Sequence, residues 1–177
     1  MDKEEEIKRV NDEIDERFSR IGAKLQDAQD ISGLFETLFA EIEKEFMVPF
    51  IWLTLINNKS TTPIIAEIKS SNILKNRFRV ITPELFSRIL STGDKPVLVN
   101  KDLRPYYKLL PPNNKYFVKS LALVPFKVNG EIAGSWNNGD AVEDRYTPNM
   151  ETGLLQKFAQ SVSTRLTEIA SASKRRR

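Results

Sequence analysis

Apolar side chains recur in steps of three and four residues at both ends of the chain. Polar side chains fill nearly every other position along residues 3–28, which contain no proline. The apolar stripe near the C-terminus repeats the 3, 4, 4, 3 steps that the N-terminal stripe shows between Ile7 and Ile21. Eleven residues in three turns are close to the period of a straight helix, so two long helices that can lie together are predicted. The C-terminal stripe consists of Leu155, Phe158, Val162, Leu166 and Ile169.

The N-terminal stripe has two interpretations. A narrow apolar stripe on a charged helix needs a partner, which is either the helix's own domain or a bundle with another helix. We favour a bundle, and we predict a homodimer held by the two terminal helices. The residues predicted at the dimer contact are Ile7, Val10, Ile14, Phe18, Ile21, Leu25, Phe158 and Val162.

The first half of the chain between these helices predicts one helix and two strands. A wide apolar stripe over residues 33–46, with Asp30 or Ser32 as its N-cap, indicates a helix that faces a core. The stretch "FIWLTLI", residues 50–56, has the length and composition of a buried strand. The stretch "IIAEI", residues 64–68, is predicted as a second strand, antiparallel to the first across a turn.

Residues 69–128 contain weaker signals. Residues 69–81 fit a loop, a short helix or a strand at "RFRVI". Thr82 and the proline after it predict the start of a helix, and Gly93 its end. The stretch "PVLV", residues 96–99, fits a short strand.

The Asn129-Gly130 dipeptide is the strongest hairpin signal in the chain. It predicts two antiparallel strands, the second ending near Trp136. Thr147 and Pro148 then predict the start of the last helix.

The stretch "GSWNNGDAVEDRYTPN", residues 134–149, is either a binding site or a connector. Its three acids, Asp140, Glu143 and Asp144, lack the ligand spacing of an EF-hand, and its glycines do not form a phosphate loop. We therefore predict a solvated connector that binds no metal and in which residues 137–145 are dispensable for folding.

The composition excludes several chemistries. The chain has no cysteine and no histidine, so a cysteine nucleophile, a Ser-His-Asp triad and a thiolate metal site are absent. Carboxylates, lysine and tyrosine remain, but no spacing singles out a catalytic pair, and we predict no enzymatic activity, no cofactor and no metal. An acidic N-terminus without an apolar core and the lack of a long apolar run predict a cytoplasmic protein with no membrane partner.

Positive charge is concentrated in the middle of the chain. The net charge of the whole chain is +3, but residues 69–119 carry 11 basic and three acidic side chains, a net charge of +8. Residues 1–30 carry six basic and ten acidic side chains, a net charge of −4. The last four residues are "KRRR".

The C-terminal half resembles a bacterial family of unknown function built on a GAF-like domain. The resemblance covers about residues 82–168, and it depends on a strand pair followed by an Arg-aromatic pair and a proline. The matching residues are Gly134, Ser135, Arg145, Tyr146, Pro148, Met150 and Thr152. Asn149 and Glu151 stand where the family tends to have glycine.

The resemblance implies an α+β fold. It implies a GAF-like central antiparallel sheet with helices packed on one side, and long N- and C-terminal helices that form a dimer bundle. The expected organisation is a dimerisation helix at residues 1–30, a GAF-like domain at 31–170 and a basic tail at 171–177. GAF domains bind cyclic nucleotides, tetrapyrroles or other small molecules, or only dimerise.

Two functions compete. The first is a non-enzymatic small-molecule-binding or signalling module, with an anionic ligand between the sheet and residues 70–117. Its candidate ligand contacts are Trp52, Phe78, Arg79, Lys101, Arg104, Tyr106 and Tyr107. The second is a nucleic-acid or protein adaptor that uses the basic segment 69–119 and its interleaved aromatic residues, and we favour it less.

Overall fold

One five-stranded sheet organises the chain. The computed structural model describes residues 2–112 and 115–175. The helices are α1 (Lys3–Leu25), α2 (Ile31–Phe46), α3 (Thr62–Lys69), α4 (Pro83–Ile89) and α5 (Gly153–Arg175), with 3-10 helices at Arg104–Leu109 and Lys115–Phe117. The strands are β1 (Phe50–Ile56), β2 (Phe78–Ile81), β3 (Val97–Val99), β4 (Ser120–Val128) and β5 (Glu131–Asp140).

The sheet is mixed rather than antiparallel. Its strand order is β2-β1-β5-β4-β3. β1 pairs in parallel with β2, while the pairs β1–β5, β5–β4 and β4–β3 are antiparallel. The prediction of an antiparallel sheet is therefore wrong at one edge. A parallel neighbour requires a crossover connection, and α3 lies in that connection.

Local signals placed several elements correctly. The Asp30 carboxylate accepts a hydrogen bond from the Gly33 N–H at 2.7 Å and caps α2. Thr82 caps α4 by accepting from the Leu85 N–H at 3.2 Å. Asn129 and Gly130 both have positive φ, 54° and 82°, as the predicted hairpin turn requires.

Residues 64–68 form part of α3, so their prediction as a strand is wrong. Pro63 lies in the first turn of this helix, where its missing N–H costs nothing. Ile64, Ile65 and Ile68 are all buried in one core, at a spacing that brings them to one helical face. Short apolar runs of this length do not distinguish strand from helix.

The prediction of a solvated connector after Trp136 is also wrong. β5 continues to Asp140, and Asn137 is fully buried between β1 and β4. α5 begins at Gly153 rather than at Pro148. The Thr147 hydroxyl instead donates to the Asn149 side chain at 2.6 Å, within a turn.

Each face of the sheet carries its own apolar core. The helix-side core lies under α1, α2, α3 and α5, and it includes Trp136. The loop-side core lies under α4 and the segment 103–110, and it includes Trp52. Alternation along the strands sends neighbouring residues to opposite cores.

The apolar stripe of α1 is divided between the chain's own core and its surface. Ile21 and Leu25 are buried, as are Phe158 and Val162 of α5, so these four predicted dimer residues pack within one chain. Ile7 is 53% exposed and Val10 40% exposed. The bundle indicated by the two stripes thus forms between α1, α2 and α5 of one chain, and only the first half of the α1 stripe is left for a second copy.

Gly134 is required by the close approach of β1 and β5. A Cβ atom at this position would lie 2.0 Å from the carbonyl oxygen of Thr54. No side chain fits in that space, so the pairing of the two central strands depends on this glycine.

In the part of the chain that the structure describes, no helix is both long and apolar enough to cross a membrane.

Candidate ligand-binding cavity

The structure disperses the residues predicted to bind a ligand. Trp52 is buried in the loop-side core and stacks on Phe50 with 5.6 Å between ring centroids. Phe78 packs against the opposite, helix-side core. The Arg79 guanidinium donates to the Leu110 carbonyl oxygen at 3.1 Å.

The segment 103–110 is tied down over the loop-side face of the sheet. The Thr54 hydroxyl donates to the Leu109 carbonyl oxygen at 2.7 Å, and it accepts a hydrogen bond from Asn137 Nδ2 at 2.8 Å. Ser135 in turn donates to Asn137 Oδ1 at 2.8 Å. Thr54, Ser135 and Asn137 are fully buried, so this polar network holds the segment 103–110 against part of the face where the sequence predicted a pocket.

An open cleft of about 370 Å³ remains beside α4 on this side. Lys101 and Tyr106 line it, whereas Arg104 is exposed and does not. Tyr107 is half-buried against the loop-side core and contacts Tyr116. The predicted contacts therefore do not converge on one site, and their role in binding stays a prediction.

A larger cavity, of about 640 Å³, lies on the helix side of the sheet. Its walls are the first half of α1, the end of α2, the strands β4 and β5, and the start of α5. We call it the Trp136 cavity. It is lined by Ile7, Asn11, Ile14, Phe18, Ile42, Phe46, Val48, Ala122, Trp136, Asn138, Arg145, Tyr146, Glu151, Gly153, Leu154, Leu155 and Phe158.

Aromatic rings form much of the apolar wall. The Phe18 ring stacks on Phe158 at 4.5 Å and lies 4.9 Å from Phe46. Phe158 in turn meets Trp136 edge to face at 5.9 Å. These contacts join α1, α2, α5 and β5, so the cavity depends on the whole helix layer.

Two buried polar atoms in the cavity wall have no hydrogen-bond partner among the described residues. They are Trp136 Nε1 and Asn138 Oδ1. Trp136 is fully buried and Asn138 is 7% exposed. A buried polar group without a partner costs about 1–3 kcal/mol. The protein therefore keeps an unpaired donor and an unpaired acceptor two residues apart on one face of its central strand.

The only charged residues among the described cavity residues are Arg145 and Glu151. The Arg145 guanidinium donates to Asp140 Oδ2 at 3.4 Å and to the Phe46 carbonyl oxygen. It also lies 5.6 Å from the centroid of the Tyr146 ring. Arg145 therefore ties the chain after β5 to the end of α2 and holds the mouth of the cavity.

Tyr146 keeps its phenol proton at neutral pH. Burial raises the pKa of Tyr146 above its ordinary value, and the positive charge of Arg145 opposes this in part. A hydrogen bond from the Asn138 side chain also lowers the pKa of Tyr146.

Sequence reasoning missed Trp136 and Asn138 as site residues. Asparagine, glycine and aspartate are typical of turns, and this composition concealed the strand. The available signal was the alternation of Trp136, Asn138 and Asp140 at a period of two, which continues the hairpin strand. Arg145 and Tyr146 entered only through the resemblance to a GAF-like family.

The described part of the chain contains no group of three or more histidine, cysteine, aspartate or glutamate residues that could hold a metal ion.

Comparisons with known proteins identify a fold rather than a family. No protein-family model matches the chain, and no curated protein sequence does. Among 31 solved chains that match is a free methionine-R-sulfoxide reductase from Neisseria meningitidis, solved in complex with its substrate. The TM-score is 0.57 at 12% identity, over 88% of this chain and 89% of that one.

This finding contradicts the prediction that the chain is a non-enzymatic module, because an enzyme with a small-molecule substrate is built on the same fold. At 12% identity the similarity itself concerns the fold alone. The chain accordingly has a GAF-like fold, with a five-stranded mixed sheet covered by helices.

Proposed function

We propose that the Trp136 cavity binds a small amphipathic molecule, which the protein holds as a substrate. The observation that carries the proposal is the unpaired Trp136 N–H and Asn138 carbonyl in an otherwise largely apolar wall. Small-molecule sites are mostly apolar cavities of roughly 300–1,000 Å³ with a few polar groups that orient the ligand. A volume of about 640 Å³ lies within this range.

The similar enzyme supports a substrate of this size. Its substrate is methionine-R-sulfoxide, which combines an apolar chain with hydrogen-bonding groups. Reduction of a sulfoxide by this chain would need an external thiol, because the chain contains no cysteine. One sulfoxide and two thiols then give one sulfide, one disulfide and one water.

Thermal unfolding in the presence of small amphipathic molecules tests the proposal. The probes are primary amides, alcohols and sulfoxides, including both epimers of methionine sulfoxide. A ligand at 100 times its Kd stabilises the folded state by about 2.7 kcal/mol. For a chain of this size that corresponds to a rise in Tm of about 5–11 °C.

A cavity-filling variant localises the binding. Ala122 lies in the cavity wall directly opposite Asn138 in the β4–β5 pair. We expect Ala122→Leu to abolish the rise in Tm, and Ala23→Leu, on the exposed surface of α1, to keep it. If Ala122→Leu does not fold, Ala122→Val, a smaller addition to the same wall, takes its place. A probe panel that leaves Tm unchanged at millimolar concentration, or a rise that survives in the cavity variants, contradicts the proposal.

Turnover is measured separately. The protein is incubated with methionine-R-sulfoxide and dithiothreitol, and methionine is quantified against a reaction without protein. Methionine formed by wild type and not by Ala122→Leu would identify sulfoxide reduction as the reaction. Binding without turnover would support the cavity as the binding site and would show that methionine-R-sulfoxide is not the substrate.

A further inference from the structure

We infer that the Trp136 cavity selects a ligand whose buried head group is uncharged and both donates and accepts a hydrogen bond, as a primary amide does. This inference rests on the proposed function and specifies the chemical class of its ligand. It follows from the hydrogen-bond donors, the hydrogen-bond acceptors and the charges of the cavity wall.

The two unpaired atoms require complementary groups on the ligand. An indole nitrogen can only donate, so Trp136 Nε1 needs an acceptor. A side-chain carbonyl can only accept, so Asn138 Oδ1 needs a donor. A primary amide presents a carbonyl oxygen and an N–H group side by side and satisfies both.

The charges of the wall disfavour an anionic head group. Arg145 is the only cation among the described cavity residues, and the Asp140 carboxylate and the Phe46 carbonyl already occupy it. Glu151 adds a negative charge at the exposed rim. A carboxylate would meet the Asn138 oxygen with no proton to donate, and it would lose its hydration without gaining a free cation.

A ligand reaches the two atoms only when the side chains around them move. Both unpaired atoms are covered, each with less than 1 Å² of exposed surface. Rotamer changes of this kind are common when a ligand or partner binds. The apolar part of the ligand then lies against the rings of Phe18, Phe46 and Phe158.

Two probes with the same carbon skeleton test the selection. Phenylacetamide and phenylacetate differ only in the head group, and their Kd values are measured by isothermal titration calorimetry at pH 7. We expect the amide to bind at least about tenfold more tightly, because the carboxylate leaves the Asn138 oxygen unpaired.

Matched tryptophan variants identify the donor. Trp136→Phe removes the indole N–H, from which either head group can accept, and we expect it to reduce the affinity for both probes about tenfold and to keep the preference for the amide. Trp52→Phe changes the chain's other tryptophan, on the opposite face of the sheet, and should leave both affinities unchanged. Asn138→Leu removes the acceptor, and we expect it to abolish the preference for phenylacetamide over phenylacetate.

The possible results distinguish a failure of this inference from a failure of the proposed function. Phenylacetate binding in the cavity as tightly as phenylacetamide would overturn the inference and leave the proposed function standing. Retention of amide selectivity in Asn138→Leu, or an unchanged phenylacetamide affinity in Trp136→Phe, would do the same. Binding of neither these probes nor any other small amphipathic molecule would overturn the proposed function and the inference with it.

Discussion

Thr54→Val tests whether the buried polar network holds the segment 103–110 against the sheet. Valine has nearly the shape of threonine, so the substitution removes a hydroxyl without leaving a large void. Two hydrogen bonds are lost, one donated to the Leu109 carbonyl at 2.7 Å and one accepted from Asn137 at 2.8 Å. Thr54, Leu109 and Asn137 are all fully buried, so water cannot replace either bond.

The cost follows from the two groups left without a partner. Each orphaned buried group costs about 1–3 kcal/mol, and groups in one network are not additive, so we expect a loss of about 2–4 kcal/mol. For a chain of this length the same loss lowers Tm by about 4–16 °C. Urea unfolding followed by circular dichroism measures the free energy directly.

Thr164→Val is the matched control. This threonine lies on the exposed surface of α5, where its hydroxyl donates to the Gln160 carbonyl at 3.0 Å. Surface substitutions of this kind usually change stability by less than about 0.5 kcal/mol. If Thr54→Val were no more destabilising than Thr164→Val, the network would not be what holds the segment 103–110 against the sheet.

Three further predictions concern other parts of the molecule. The exposed half of the α1 stripe, with Ile7 and Val10, predicts a homodimer, so the mass measured by light scattering should be about twice 20.3 kDa. Val10→Asp should lower this mass toward 20.3 kDa, because it places a charge in the apolar contact. A wild-type mass of 20.3 kDa at micromolar concentration would refute the prediction. Gly134→Ala should destabilise the fold by more than about 3 kcal/mol, since its methyl group would meet the Thr54 carbonyl, and an unchanged urea midpoint would contradict the close strand pairing. In a spectrophotometric titration, the phenolate absorbance of Tyr146 is the signal present in wild type and missing in Tyr146→Phe, and its midpoint should lie above the ordinary pKa of tyrosine. The stability that Tyr146 contributes is present below that ordinary pKa and is lost as the pH rises through the folded-state pKa. A midpoint at or below the ordinary value would contradict its burial.

Sequence reasoning succeeded where the cause of the structure is local. Helix α2 follows from its apolar period and the Asp30 cap, and the β4–β5 turn follows from Asn129 and Gly130. These signals act over a few residues, so they do not depend on the rest of the fold.

The misplaced elements share one physical reason. Residues 64–68 and 137–140 are short, and their local composition fits more than one structure. The helix layer gives the first segment an apolar face to cover. The pairing of β5 with β1 and β4 draws the second into the sheet. Tertiary contacts overrode the turn composition of Asn137 and Asn138.

By itself the sequence determined the chemistry that this protein lacks and the two amphipathic helices at its ends. A chain without cysteine and histidine cannot form a thiolate site or a histidine-based triad in any fold. Only the tertiary structure decided where a cavity forms. Side chains from four parts of the chain close the Trp136 cavity, and no local pattern records that Trp136 and Asn138 are buried there without hydrogen-bond partners. On the other face Leu109 and Leu110 cover part of the sheet, Thr54 holds them there, and the open cleft lies beside α4.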